Sequence, residues 1–176
     1  MLVDPPLPQP DLVAAIPRLR RYARVLTGDA TRADDLVQET LARGWEKRRL
    51  WAAGTDLRAW LFTIMHNVFA SQLRRAPPRA VVDVDGDDAP ELHAPDAGHE
   101  QRIDLQRCLL LLPDDQRAVL LLVALEDLSY RQIARVLGIP AGTVMSRLSR
   151  ARSRLHALME GEAAPTVQRP SLRRLK

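Results

Sequence analysis

The sequence has few of the residues on which many small folds depend. Cysteine occurs once among 176 residues, at Cys108, so no intramolecular disulfide is possible and we expect this thiol to pack among the neighbouring leucines. Aromatic residues make up only 4%, whereas Leu, Ala and Arg are abundant. This composition favours helices packed through aliphatic side chains over β-sheets. We therefore predict an all-α fold, for which a hydrophobic content of 46% supplies enough core.

Signatures of catalysis, metal binding and membrane insertion are also lacking. The sequence has no Gly-rich phosphate loop and no nucleophile elbow, and its histidines show no metal-ligand spacing. We therefore expect no enzymatic activity, no cofactor and no metal site. The N-terminus lacks the basic start and apolar core of a signal peptide, and the leucine-rich stretch 108–112 is too short to span a bilayer. These features predict a cytoplasmic protein without membrane insertion.

The charge is distributed in three blocks along the chain. Residues 1–75 have 12 basic and 8 acidic side chains, residues 76–100 have 1 and 7, and residues 101–176 have 13 and 7. Two basic blocks around an acidic one indicate two surfaces for a polyanion, because Arg and Lys supply most sequence-independent affinity for nucleic acid. Ordinary solvated helix faces are the alternative interpretation of the same charges.

Composition and periodicity divide the chain into two modules. Residues 10–75 and 101–160 have apolar positions at helical spacing, which predicts a small helical domain in each. Residues 76–100 are rich in Pro, Asp, Ala and Gly, so we predict a flexible acidic linker. Residues 161–176 form a basic tail that we expect to be disordered.

Three helices are predicted in the first module. The first ends at Gly28, the second is capped by Thr31, and the third is capped by Thr55 or Asp56 and continues through Arg75. The apolar face of the second helix is predicted to comprise Ala33, Leu36, Val37, Thr40, Leu41, Gly44 and Trp45.

The second module ends in a helix-turn-helix pattern. Ser129 and Gln132 have the spacing of a capping box, Gly138 is suited to a left-handed helix end, and Pro140 is suited to the first turn of the next helix. The buried face of the first helix is predicted to comprise Tyr130, Ile133, Ala134 and Leu137. This pattern predicts a bend of three or four residues between two helices.

The last predicted helix has a polar face that suits a DNA major groove. Thr143, Arg147, Arg150 and Arg154 recur at helical spacing. Residues 128–159 contain six arginines and no acidic side chain, so the local positive field is not cancelled. Arginine donates pairs of hydrogen bonds to guanine edges or to phosphates. DNA binding is the prediction, and a purely structural helical hairpin is the alternative.

Four motifs, in this order and spacing, resemble the ECF sigma factors, the shortest members of the bacterial sigma family. They are RADDLVQETLARGW at 32–45, RAWLFTIMHN at 58–67, LPDDQRAVLLL at 112–122 and GIPAGTVMSRLSRAR at 138–152. The resemblance implies a three-helix-type bundle, sigma region 2, and a four-helix domain with a helix-turn-helix, sigma region 4. It also implies an alternative sigma factor that directs promoter recognition, DNA melting and transcription initiation.

The same resemblance implies three sets of contact residues. Contacts with the clamp coiled coil of the largest RNA polymerase subunit fall on Asp35, Gln38, Glu39 and Arg43. Contacts with the minus-ten element fall on Trp60, His66, Asn67, Arg74 and Arg75. Contacts with the minus-thirty-five element fall on Arg131, Thr143, Ser146, Arg147, Arg150 and Arg154. A place in the core is favoured for the Trp60 ring, because Trp60 lies on an apolar stripe.

The implied partners are core RNA polymerase, through its clamp coiled coil and flap, promoter DNA and an anti-sigma factor. The segments GTDLRAWLFTIMHN and VFASQLRR also resemble the general stress response subgroup of alphaproteobacteria. Two alternatives remain open, a sigma-like decoy that sequesters an anti-sigma factor and an operator-binding repressor. The decoy predicts loss of the arginine face, and the repressor leaves the helices of the first module unexplained.

Overall fold

A computed structural model describes residues 11–51, 56–75 and 99–160. Within these ranges the chain forms α-helices and one short 3-10 turn, Arg48–Leu50, and no strand. The helices are α1 (Leu12–Thr27), α2 (Ala30–Glu46), α3 (Leu57–Arg75), α4 (His99–Leu111), α5 (Asp114–Ala124), α6 (Tyr130–Leu137) and α7 (Ala141–Met159). The prediction of an all-α fold in two modules is confirmed.

Two predicted segments lie mainly outside the described residues. The predicted linker, 76–100, falls there except for its last two residues, which belong to α4 because this helix begins at His99. The predicted tail, 161–176, lies wholly outside the described residues.

The first module is a bundle of α1, α2 and α3. Asp11 accepts the backbone N–H of Ala14 at 3.2 Å and so begins α1, and Gly28 ends it with a φ of 73°, as predicted. The fully buried side chains of this core are mostly aliphatic and aromatic. They include Leu19, Tyr22, Leu26, Leu36, Leu61, Phe62, Met65 and Val68.

The start of α2 differs from the prediction. Asp29, not Thr31, is the N-cap, because its carboxylate accepts the backbone N–H of Arg32 at 2.6 Å while Thr31 is exposed within the first turn. An aspartate cap also places a negative charge at the positive end of the helix dipole. Of the two residues predicted to cap α3, Asp56 does so, by accepting two backbone N–H groups of the first turn at 3.0 and 3.2 Å.

The second module comprises α4 to α7 and encloses a buried arginine. The side chain of Arg117 is 1% exposed, and its Nη1 donates to the carbonyl of Leu110 at 2.9 Å. It also forms an ion pair with Asp114 in the first turn of the same helix. Because the last carbonyl groups of a helix have no intrahelical donor, Arg117 satisfies the end of α4.

The helix-turn-helix is formed by α6 and α7. The capping box of Ser129 and Gln132 is present, and Gly138 has a φ of 65°, so both predictions are confirmed. The predicted buried face of α6 needs correction, because Tyr130 is 39% exposed whereas Val136 is buried. Helix α6 has only eight residues, so a few contacts determine which of its faces is buried. In this structure those contacts bury Val136.

The two modules pack directly against each other. Helix α3 contacts α6, and α1 contacts both α4 and α5. At the end of α1, a Cβ atom added to Gly28 would lie 2.6 Å from the side chain of Leu110 in α4. The left-handed glycine therefore also permits the close approach of the second module.

Candidate nucleic-acid and polymerase interfaces

The arginine face of α7 is exposed at Arg150 and half-buried at Thr143, Arg147 and Arg154. Arg150 is exposed, and its Nη2 donates to the Ser146 hydroxyl at 3.3 Å. Arg147 is half-buried and its Nε lies 3.1 Å from a carboxylate oxygen of Asp115, in α5. Ser146 in turn donates to the carbonyl of Thr143 at 3.1 Å. Arg150 therefore presents its charge to solvent, whereas Arg147 must exchange an internal partner to reach DNA.

The entry to α7 permits close approach by a ligand. A Cβ atom added to Gly142 would meet nothing within 4 Å among the described residues. The first backbone N–H groups of a helix lack intrahelical acceptors and favour anions such as phosphates. Arg131 is exposed on α6, and Arg154 is half-buried further along α7. The predicted minus-thirty-five set is thus present on the two helices of one motif.

The outer face of α2 presents the residues predicted to contact polymerase. Asp35 and Gln38 are exposed. Glu39 forms an ion pair with Arg43 and accepts a hydrogen bond from Gln72 of α3 at 3.2 Å. This set therefore divides into two exposed polar side chains and a pair that also ties α2 to α3.

The predicted minus-ten residues occupy different environments on α3. Asn67, Arg74 and Arg75 are exposed, which leaves a polar and basic surface toward the end of the helix. Trp60 is half-buried against the hydrophobic core. His66 is buried, so it cannot touch a base without leaving its position in this structure.

The buried His66 takes part in a polar contact at the centre of the molecule. Its Nε2 lies 2.7 Å from the hydroxyl of Tyr22, and that hydroxyl donates to the carbonyl of Ala118 at 3.3 Å. Burial lowers the pKa of His66 to about 4 and raises the pKa of Tyr22 well above its usual value, so both side chains are neutral at pH 7. Because Tyr22 has one proton, all three groups are satisfied when neutral His66 donates from Nε2.

An exposed aromatic ring at the end of α2 was not among the predicted site residues. Trp45 was placed on the buried face of its helix, but its side chain is 53% exposed. The guanidinium carbon of Arg48 lies 4.2 Å from its ring centroid, and Lys47 and Arg49 are exposed beside it. The signal in the sequence was the run of three basic residues, which continues the polar surface past the last turn of α2.

Comparisons with known proteins assign both modules. A family model described as the sigma2 domain of PhyR matches residues 12–66, and one described as sigma-70, region 4, matches residues 102–155. The ECF RNA polymerase sigma factor EcfG of Rhodopseudomonas palustris is 42% identical over 88% of this chain and 86% of its own length. The chain belongs to the ECF RNA polymerase sigma factors. Its first module is therefore region 2 and its second module is region 4.

Further relatives of this sigma factor agree with the assignment. ECF RNA polymerase sigma factor SigL of Mycobacterium tuberculosis is 40% identical over 74% of the chain and 76% of its own length. A solved complex of the sigma factor RpoE with the anti-sigma factor NepR from Bartonella quintana has a TM-score of 0.68 at 32% identity. This match covers 87% of the present chain and 96% of the matched chain. None of the helices in the three described ranges is long and apolar enough to cross a membrane.

Proposed function

We propose that this ECF sigma factor binds core RNA polymerase in the cytoplasm and directs it to promoters, where it opens the DNA without covalent chemistry of its own. The single observation that supports this function most strongly is the arginine face of α7, the second helix of a complete helix-turn-helix. A chain that lacked these arginines could bind core polymerase but could not recognise a promoter. In this chain Arg150 is exposed and has no acidic partner among the contacts described.

Region 4 is proposed to read the minus-thirty-five element in the major groove. Arg150 is the candidate for paired hydrogen bonds to a guanine, because it is exposed at the middle of the recognition helix. Arg147 and Arg154 are candidates for phosphate contacts on the same helix face. The Arg147 guanidinium pairs with Asp115 in this structure, and on DNA it is proposed to pair with a phosphate instead. It therefore has an anionic partner both with and without DNA.

Region 2 is proposed to hold the melted minus-ten strand with Trp45 and a set of cations. Base stacking needs an accessible aromatic face, and Trp45 offers one where Trp60 is half-buried. Arg74 and Arg75 supply phosphate contacts from the end of α3, and Arg48 holds the Trp45 ring by a cation–π contact. His66 acts within this scheme as a buried support of α3 rather than as a direct contact.

Polymerase binding is assigned to the exposed part of the α2 face. Asp35 and Gln38 are available for contacts with the clamp coiled coil, and the pair of Glu39 and Arg43 borders them. Contacts of region 4 with the polymerase flap complete this proposal.

Control by an anti-sigma factor is proposed on the basis of the relatives. RpoE of Bartonella quintana was solved with the anti-sigma factor NepR, and the match covers 87% of this chain. The region 2 model is that of PhyR, a resemblance that agrees with the general stress response motifs in residues 54–75. A regulator of the NepR type is therefore the proposed partner.

Reconstituted transcription tests the proposed function. The purified chain is mixed with sigma-free bacterial core polymerase and a pool of promoter fragments, and transcripts are sequenced. We expect selective initiation from a subset of fragments that share two conserved elements. Stable core binding without initiation on any fragment, or no core binding, would contradict the proposal.

A sigma-like decoy is the second candidate, because the region 2 match is to a PhyR model. A decoy binds an anti-sigma factor but does not direct initiation. The same transcription assay separates the two candidates, and the accessible arginine face of α7 favours the sigma factor.

A further inference from the structure

Four exposed residues of α2 lie on one face of the helix. Thr31, Asp35, Gln38 and Ala42 are exposed and are spaced by four, three and four positions. With about 3.6 residues per turn, these positions lie within about 60° of one another around the helix axis. Two of them, Asp35 and Gln38, are the exposed side chains proposed to contact polymerase. We name these four residues the α2 ridge.

A carboxylate flanks the ridge on each side. Asp34 and Glu39 are half-buried and lie about 70° from the middle of the ridge, in opposite directions around the helix. Nε of Arg20, in α1, donates to Oδ1 of Asp34 at 3.0 Å. Nε2 of Gln72, in α3, donates to Oε2 of Glu39 at 3.2 Å, while the other oxygen of Glu39 pairs with Arg43. Each flank of the ridge is therefore tied to a different neighbouring helix.

These two contacts restrain the rotation of α2 about its own axis. The face opposite the ridge is buried, and its residues are small or aliphatic, among them Ala33, Leu36, Val37 and Thr40. Hydrophobic packing has no preferred direction, whereas a hydrogen bond weakens steeply when its angle changes. A rotation of α2 would therefore strain a flank contact before it disturbed the core. The core holds α2 in the bundle, and the flank contacts set the direction in which the ridge points.

The flank contacts are poorly suited to a role in stability. The side chains of Arg20 and Asp34 are 51% and 40% exposed, and those of Glu39 and Arg43 are each 37% exposed. Polar contacts at this exposure contribute little to the free energy of unfolding, because water competes for the same groups. Gln72 is also uncharged, so it orients Glu39 without changing the charge of the surface. Such contacts are better suited to orienting a binding surface.

We propose that Arg20 and Gln72 are positioning residues for polymerase docking, which hold the α2 ridge in the orientation that binds the clamp coiled coil. Neither residue lies on the ridge, and each acts through the carboxylate that it holds. This inference rests on the proposed function, in which α2 contacts polymerase. It gives α1 and α3 a role in docking, although the polymerase set itself lies wholly on α2.

Reversal of the pair formed by Arg20 and Asp34 tests the first contact. Arg20→Asp brings two carboxylates together and Asp34→Arg brings two guanidinium groups together, so we expect each to weaken core binding by about 3- to 10-fold. The combined variant Arg20→Asp/Asp34→Arg restores the pair in the opposite direction and keeps the net charge of the wild type. We expect its affinity for core to lie within about 2-fold of the wild-type value. Competition for core polymerase against a labelled wild-type chain measures all three variants.

Two results of this comparison would overturn the role of Arg20. Unchanged affinity in both single variants would show that the pair does not affect docking. A combined variant as weak as the single variants would show that the charges themselves, rather than the pair, contact polymerase.

A double-mutant cycle tests the role of Gln72. Gln72→Met keeps the length of the side chain and removes its donor, so we expect core affinity to fall by about 2- to 5-fold. In a Glu39→Ala background Gln72 has no carboxylate to orient, and the same substitution should have no further effect. Equal losses in the two backgrounds would instead assign Gln72 to a direct contact with polymerase, and the absence of any loss would also refute its positioning role.

Urea denaturation of Gln72→Met and of the combined Arg20→Asp/Asp34→Arg variant separates positioning from folding. We expect both chains to be fully folded under the binding conditions, with midpoints close to that of the wild type. Core affinity that fell only in proportion to the folded fraction would contradict a positioning role. A wild-type chain that did not bind core at all would contradict the proposed function itself.

Discussion

A single buried histidine makes the stability of the molecule depend on pH. The pKa of His66 falls from 6.5 to about 4 on folding. The neutral histidine therefore makes its full contribution to the unfolding free energy above pH 6.5, and this contribution is lost as the pH falls from 6.5 to about 4. At roughly 1.4 kcal/mol per pH unit, the loss approaches about 3 kcal/mol. Glu126 changes the unfolding free energy in the opposite sense. Because burial raises its pKa in the folded chain, its contribution to stability is lost as the pH rises.

Urea denaturation of the wild type and His66→Gln at several pH values isolates the histidine from Glu126. We expect the difference in unfolding free energy between the two chains to shrink as the pH falls from about 7 to about 4.5. A constant difference would contradict a neutral buried His66.

Substitution at Arg150 is expected to relax promoter specificity. Arg150→Ala should cost about 1 to 3 kcal/mol, concentrated at one base pair of the minus-thirty-five element. Arg152→Ala is the control, because Arg152 is exposed on the same helix but lies about 200° away around it. Competition binding of the holoenzyme to promoters with single substitutions measures both. Equal losses for the two variants would place the DNA on another face of α7.

Two tryptophans of region 2 are expected to have different roles. Trp45→Ala should weaken binding to a forked minus-ten probe by about 1 to 3 kcal/mol with little effect on unfolding. Trp60→Ala should instead lower the unfolding free energy, because its ring packs on the core. A Trp45 variant that binds the DNA probe normally but binds core polymerase more weakly would show that the Trp45 ring contacts polymerase instead of DNA.

At the scale of elements, two left-handed glycines provide a matched test of the packing between the two regions. Gly28 and Gly138 both have positive φ, so alanine at either position costs about 1 to 2 kcal/mol in backbone strain. At Gly138 a Cβ meets nothing within 4 Å, whereas at Gly28 it meets Leu110 of region 4. Leu110 must shift to admit this Cβ, so Gly28→Ala should cost more than Gly138→Ala. Equal losses in chemical denaturation would contradict a constraint of Leu110 on position 28.

Local signals in the sequence were sufficient for most elements. The capping box at Ser129, the helix ends at Gly28 and Gly138 and the cap at Asp56 depend on residues a few positions apart, and each was predicted. Asp29 was missed because Thr31 also fits the cap pattern, and only the hydrogen bond to Arg32 distinguishes them.

Features that depend on tertiary packing could not be predicted. Charged residues such as Glu126 and Arg117 are expected at the surface. Glu126 is buried by its contacts with α1, and Arg117 is buried by its contacts with the end of α4. His66 was placed among the minus-ten contacts by the family resemblance, which does not show that Tyr22 faces it in the core. In contrast, the arginine face of α7 was predicted correctly as accessible at Arg150, since region 4 turns that face outward.

At the scale of the whole molecule, two regions with separate DNA surfaces are joined by a polar junction. Region 2 contributes Arg21 and Arg58 to the junction, and region 4 contributes the end of α5 and Glu126. None of these residues belongs to the proposed promoter or polymerase sets. The residues that join the two regions are therefore different from those proposed to contact DNA and polymerase.

Footprinting of the holoenzyme on a promoter selected from the pool tests the central claim most directly. We expect protection at two sites roughly 25 base pairs apart. Permanganate-reactive thymines, which mark unpaired bases, should occur only at the downstream site. Arg150→Ala should remove the upstream protection first. A single continuous protected site, or protection without unpaired bases, would contradict a sigma factor that reads one element with region 4 and melts the other with region 2.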